Sequence, residues 1–491
     1  MAFKIKYSDI ALGAAEDAEV TSTGAEKFSS LGLLPFGANT GAIATSEPNG
    51  WGLSQEYKVR GEQQFAFWSS VRSDANGVFA FVPRVIIEFT EQYTSTGLTF
   101  LFSPGAAEYC AELDIYWQQD GVTKDKGTFY PTSATFAVER TVEAFDRVIV
   151  DFKKTNLPER RLKLERLAIG VFREFTGREL TSASVLHEID LVSNTVPVNV
   201  LDADFHSETD VDFVFQKKQP VEAFDGEELI GVYYIETGDR TGGNHYSISC
   251  QDAIGVLELD TYKGGLFLTD TPLEDVLLDI VGNVFAFDIS EELKGATVRG
   301  YIPESTKRAA IQQVAFSLGA CVDTSGTAKI NLFLPSSEGA KEIPEKETYI
   351  GGKVTTADIV TGVNMTSYEI TDERPGDNDE SIEIGGIEYK VVSDVFSVKN
   401  PNTTAGVLAN EVDVDGCYLI NTANVQQRAN ALLRYYMRRD TYSFSHVLNG
   451  QKLGDHCTAH LPWGDIKTGN IKKMKITVSN LTASDTEFLI D

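Results

Sequence analysis

The chain has 491 residues, with 43 Lys and Arg against 72 Asp and Glu, a formal charge of −29, and 42% hydrophobic residues. The length suits about three to five domains, and the apolar content supports several packed cores, which excludes a wholly disordered chain. A carboxylate surplus of this size repels nucleic-acid phosphate and argues against a nucleic-acid-coating role, while leaving room for DNA that passes without adhering.

The amino end carries Lys4, Lys6 and Asp9 and lacks the apolar run of a signal peptide. The uncharged stretch 28–46 is interrupted by Gly32, Pro35, Gly37 and Gly41 and reads as loop, so no membrane span is expected. Cys110, Cys250, Cys321, Cys417 and Cys457 are scattered, which suits buried thiols in a protein made in a reducing cytoplasm.

Residues 31–175 read as strands. Runs at 85–89, 98–102, 113–117, 148–152 and 162–169 are β-branched or aromatic, and turn residues such as those at 73–77 separate them. Many short strands without intervening helices favour a jelly-roll-type β-sandwich. A second β-rich block covers 182–257. There Val198, Val200, Phe205, Val211, Phe213 and Phe215 alternate with polar residues, and a turn is expected at Thr241-Gly242-Gly243-Asn244.

From Thr271 the period changes. Thr271 as N-cap, Pro272 at the first helical position and Leu273, Val276, Leu277 and Ile280 on one face predict a helix ending near Gly282. Ser305 is the expected cap of a second helix, with Ile311, Val314, Ala315 and Leu318 inward and Gly319 as its stop. With neighbouring strands these make a small α+β domain. Residues 335–346 read as linker and 372–380 as an exposed loop. One further helix, 424–438, is predicted inside a last strand-rich region.

No Gly-rich phosphate loop, His-Glu-x-x-His or Gly-x-Ser-x-Gly is present, so the chain is expected not to be an enzyme and to need no cofactor. Asp455, His456, Cys457 and His460 are metal-ligand types, but in a strand they alternate between faces. Glu411, Asp413, Asp415 and Gly416 imitate the start of a calcium loop whose twelfth position is Thr422, not a carboxylate. No metal is expected at either place. In the first domain Trp51, Trp68 and Trp117, with Asn49 and Gln118 as polar neighbours, are candidates for stacking on a sugar; the opposing reading puts the indoles in the core.

The segments 201–205, 213–221, 231–235 and 246–257, in that order, resemble the tail-hub proteins of tailed bacteriophages and prophages, a family that includes contractile-tail baseplate hubs and the hub part of tail-associated lysins. The helix at 306–319 and the ending from Gly454-Asp455 through Gly469 to Met474 fit the same family. Residues 28–175 resemble a carbohydrate-binding-like sandwich inserted near the start of such hubs, through residues 46–51, 67–69, 73–77, 108–110 and 162–164.

The resemblance implies a mainly β, multidomain chain: an N-terminal hub strand at 1–27, the sandwich at 28–176, a first hub β-barrel domain at 177–268, the α+β domain at 269–342 and a second barrel domain with one helix at 343–491. It implies a homotrimeric virion protein at the tail tip, meeting the tail tube, distal tail proteins and a tip or spike protein, around a channel used by DNA and tape-measure protein. The sandwich would face outward toward host-surface glycan. Tail-lysin activity is not expected, because no peptidase or spike domain follows the closing hairpin. The alternative is a free glycan-binding protein of β-sandwich type, with a cell-wall hydrolase third.

Overall fold

A computed structural model describes residues 3–8, 13–36, 42–43, 47, 62–63, 66–102, 107–177, 179–207, 218–282, 284–335, 341–376, 379–384, 386–404, 406–478 and 482–491. The chain is mainly β and multidomain. It divides into two compact units, one of residues 6–174 with 212–220 and one of 1–5, 175–211 and 221–491.

The first unit is built on an antiparallel sheet in the order Arg166–Ile169, Arg84–Leu101, Thr135–Thr155, Cys110–Gln119, Val122–Phe129, and Glu19–Thr23 pairs with the start of Arg84–Leu101. Alternation sends Val85, Ile87 and Phe89 inward, where they meet Phe100, Trp117, Phe145 and Phe152 in one core. The runs expected as separate strands at 85–89 and 98–102 are the two ends of one 18-residue strand. Register shifts at Tyr93, Ser95 and Gly97 bend it without ending it. Gly97 is needed there, because a Cβ would lie 1.8 Å from the Val138 carbonyl oxygen. The turn at 73–77 forms as expected, with Asp74 Oδ1 accepting from the backbone N–H groups of Asn76 and Val78 at 2.8 Å each.

The second unit is organised by a long sheet. Its order runs Pro220–Asp225, Glu228–Gly242, His245–Gln251, Val200–His206, Leu180–Glu188, Ile466–Val478, Thr482–Ile490, Asp440–Val447, Lys353–Thr356. His456–His460 also pairs with Ile466–Val478. The sequence reading assigns residues 177–268 and 343–491 to two separate barrels. Leu180–Glu188 of the first pairs antiparallel with Ile466–Val478 of the second, Val185 opposite Ile476, so strands from both regions share one sheet. Pairing across so long a loop is decided by packing, since closing a longer loop adds entropy cost only slowly.

Three helices accompany this sheet: Ala253–Glu258, Leu273–Val281 and Lys307–Leu318. The first is unexpected. Asp252 is its N-cap, with its side chain accepting from Gly255 N–H. The second starts one step later than expected: Thr271 and Pro272 close the strand Gly265–Pro272, and Pro272 occupies the cap position. Thr306, not Ser305, caps the third, accepting from Ala309 N–H at 3.2 Å, and Gly319 ends it at φ +72°. A small mixed sheet orders Phe287–Ile289, Ile330–Phe333 and Cys321–Asp323.

A further sheet orders Glu380–Ile384, Ile387–Lys399, Gly362–Thr371 and Glu411–Val414. The predicted helix forms as Val425–Met437 and packs on the two central strands, burying Val425, Arg428, Ala429, Leu432 and Leu433.

Candidate functional site

Within the second unit, two cavities of about 220 and 470 Å³ share Ser325, Gly326, Lys452 and Leu453 as lining and therefore form one groove. One wall is the start of Glu228–Gly242. The opposite wall is the loop at 448–455, between the strands Asp440–Val447 and His456–His460. The sheet supplies His187, Met474 and Ile476, while Leu332 and Phe333 line the far end. Position 326 is held by its own N–H, which donates to the Ile230 carbonyl at 2.7 Å.

Beside the groove lies a buried polar cluster. Asp252 accepts from Asn199 N–H at 3.1 Å, Gly255 N–H at 3.0 Å and the Thr324 hydroxyl at 2.6 Å. Asp323, which lines the groove, accepts from Ser325 N–H at 3.0 Å and the Ser325 hydroxyl at 2.5 Å. Burial pushes the Asp252 carboxyl up to about 6, opposed by those three donors, and also raises Asp323. His187 lies on the inward face of its strand, with Nε2 2.5 Å from the Tyr233 hydroxyl. Burial lowers its imidazole to about 3 and raises the Tyr233 phenol well above its usual value. A neutral imidazole whose Nε2 is taken by a phenol has that nitrogen committed to the fold.

Asp225 Oδ1 in the smaller cavity is out of contact with solvent and has no hydrogen-bond partner among the described residues. Of the groove lining, sequence reasoning named Asp455, as a metal-ligand type, and Gly454 and Met474, in the closing segment. The lining residues are brought together from positions more than 200 apart, and no local spacing signals the groove.

The residues that were named fall elsewhere. Trp68 is 1% exposed, with Phe28 edge-on at 5.6 Å and the Lys163 ammonium 5.1 Å from its ring centre. Trp117 is 0% exposed and meets Phe129 edge-on at 6.3 Å. Both indoles are core residues with no face open to a sugar, which corrects their assignment as stacking platforms. Gln118 is half-buried and donates to the Thr123 hydroxyl at 3.3 Å. Asn49 and Trp51 lie outside the described residues. Glu411 pairs with Lys399, Asp413 accepts from Asn364 at 2.8 Å and Asp415 accepts from the Tyr368 hydroxyl. His456 pairs with Asp491 at 2.8 Å and His460 with Glu342 at 3.5 Å, while Cys457 points into the core.

No protein-family model matches the sequence, and no curated protein does. Among solved structures the chain is similar to the tail protein from Neisseria meningitidis MC58, at 12% identity over 65% of this chain and 94% of that one, with a TM-score of 0.48. It is also similar to the 43 kDa tail protein of prophage MuSo2 from Shewanella oneidensis, at 8% identity over 64% and 94% with a TM-score of 0.45. A third is the prophage tail protein gp18 from Listeria monocytogenes EGD-e, at 11% identity over 64% and 91% with a TM-score of 0.44. With TM-scores below one half, these likenesses carry no argument about function.

Proposed function

We propose that the chain is a structural protein of a phage tail, a homotrimeric hub at the tail tip that joins the tail tube to a tip or spike protein around the channel for DNA and tape-measure protein. The sequence resemblance from Val185 onward supplies the family. The observation that carries assembly is an open strand edge. Glu380–Ile384 covers Ile387–Val391 of the strand Ile387–Lys399, and no other described strand pairs on that side. Residues 392–399 are therefore paired only with Gly362–Thr371, Val392 opposite Glu369 and Lys399 opposite Gly362.

This edge displays Val392 and Val395, which are 50% and 58% exposed. An edge with no strand partner and with exposed valines is a template for another chain, although here the Val395 N–H already donates to Asp394 Oδ1 at 2.9 Å. A closed ring of copies covers them. In such a ring, part of the acidic surplus facing the channel would keep phosphate from adhering.

Native mass spectrometry tests the reading: the expected species has three times the 53.8 kDa chain mass. A monomer at every concentration tried removes the hub proposal.

A further inference from the structure

We propose that the groove along Ser325 and Gly326 is a docking site for an extended segment of a partner polypeptide bearing lysine or arginine side chains, with its apolar side chains turned to the groove floor. The inference rests on the groove alone and not on the tail reading.

Three observations support it. The first is shape. Two neighbouring cavities with four lining residues in common offer recesses of side-chain size along Ser325 and Gly326, which the side chains of an extended segment can fill. The floor is mixed: Ile230, Met474 and Ile476 are apolar at one end, Leu332 and Phe333 at the other. An extended peptide meets such a floor with every second side chain and directs the others to the rim.

The second is charge. Asp225 and Glu228 line one end and Asp288, Asp323 and Asp455 the other, whereas Lys452 is the single cationic residue among the described lining residues. Asp455 is met by Lys341 at 2.7 Å. His187, the remaining titratable lining residue, is kept neutral by burial. Complementarity therefore selects a basic occupant.

The third is the state of the polar atoms. Asp225 Oδ1 is shielded from water and has no hydrogen-bond partner among the described residues. An unpaired buried polar group costs about 1–3 kcal/mol, so native folds rarely keep one without a reason. A cationic side chain seated beside Asp225 compensates a carboxylate that the fold leaves short of a donor. A bare metal ion or a polyamine would use the carboxylates but not the apolar floor.

The test uses the full chain and fluorescence anisotropy with a labelled nine-residue peptide of alternating lysine and leucine. Asp225→Asn with Glu228→Gln is expected to weaken binding about tenfold. Lys452→Glu, at an exposed position on the rim, is expected to tighten it. Glu380→Gln with Glu383→Gln removes the same charge from a strand outside the groove and is expected to leave affinity unchanged.

Equal weakening by both double variants means that only the general negative field attracts the peptide, and this overturns the proposal. So does spermidine competing as well as unlabelled peptide, or absence of binding to the native chain. Asp225 Oδ1 receives no hydrogen bond, so its amide variant is expected to stay folded; thermal unfolding checks this, and Lys452→Glu decides the matter if it does not. A monomeric chain that binds the peptide in this pattern removes the hub reading and keeps the groove; a trimer that ignores the peptide does the reverse.

Discussion

The two compact units handle buried charge in opposite ways. In the sandwich unit Lys163 is 2% exposed and sits between Glu47 at 2.9 Å and Glu108 at 2.8 Å, while Arg160 reaches Glu108 at 2.6 Å. Every buried charge in that set has an opposite partner. In the other unit Asp252 and Asp323 are buried near each other and held by hydroxyl and amide donors, with no cation among the groups that shift them. Arg428 is buried as well, its Nε and Nη2 without partners and its guanidinium 5.3 Å from the Phe316 ring centre. The difference teaches that pairing makes a unit sensitive to loss of a side chain, whereas donor-held carboxyls make it sensitive to pH.

The largest expected effect is on the paired set. Lys163→Met leaves Glu47 and Glu108 without their shared cation and is expected to destabilise by about 3–5 kcal/mol, read as a lower urea midpoint. A loss no greater than that of a surface lysine would break the comparison.

In the second unit Gly319 ends a helix at φ +72°, and a Cβ there would lie 2.1 Å from Arg428 Nη1. Gly319→Ala is expected to cost about 1–3 kcal/mol, through left-handed strain and displacement of the guanidinium. Thermal unfolding with and without Arg428→Met separates the two causes: coupling between the changes reports the clash and additivity reports strain alone.

The pH dependence sharpens the contrast. The Asp252 carboxyl sits at about 6 in the fold against an ordinary 3.8, so the folded state holds the extra proton, and this site's contribution falls as pH rises from about 4 through 6. His187 sits at about 3 against 6.5, so the folded state holds fewer protons, and its contribution is present above 6.5 and lost as pH falls. The two oppose each other between pH 4 and 6. Asp252→Asn should therefore lose more stability on acidification from pH 7 to 5 than the native chain, and His187→Gln should lose less. Urea midpoints at the two pH values check both signs.

The smallest stability effect is expected at the open edge. Val395→Lys changes an exposed side chain and should alter unfolding free energy by less than about 0.5 kcal/mol. Because charged edge residues discourage strand addition, the same change should reduce the assembled fraction in native mass spectrometry. Assembly unchanged by it would place the contact elsewhere.

What the sequence determined by itself was local. Period and caps located the helices Leu273–Val281, Lys307–Leu318 and Val425–Met437 to within a residue or two, and β-branched and aromatic runs marked parts of the long strands of the first unit, because these signals depend on neighbours a few residues apart. The short helix after Asp252 was missed, since six residues carry too little period to show. Trp68 and Trp117 carried both readings, core and sugar platform, because exposure is not written in residue type. Tertiary structure alone decided that Leu180–Glu188 and Ile466–Val478 share a sheet, that Lys163 lies between two glutamates, and that Asp225, Ser325 and Lys452 line one groove. Each of these joins residues far apart in the chain, where the outcome rests on which apolar faces pack together and not on any local spacing.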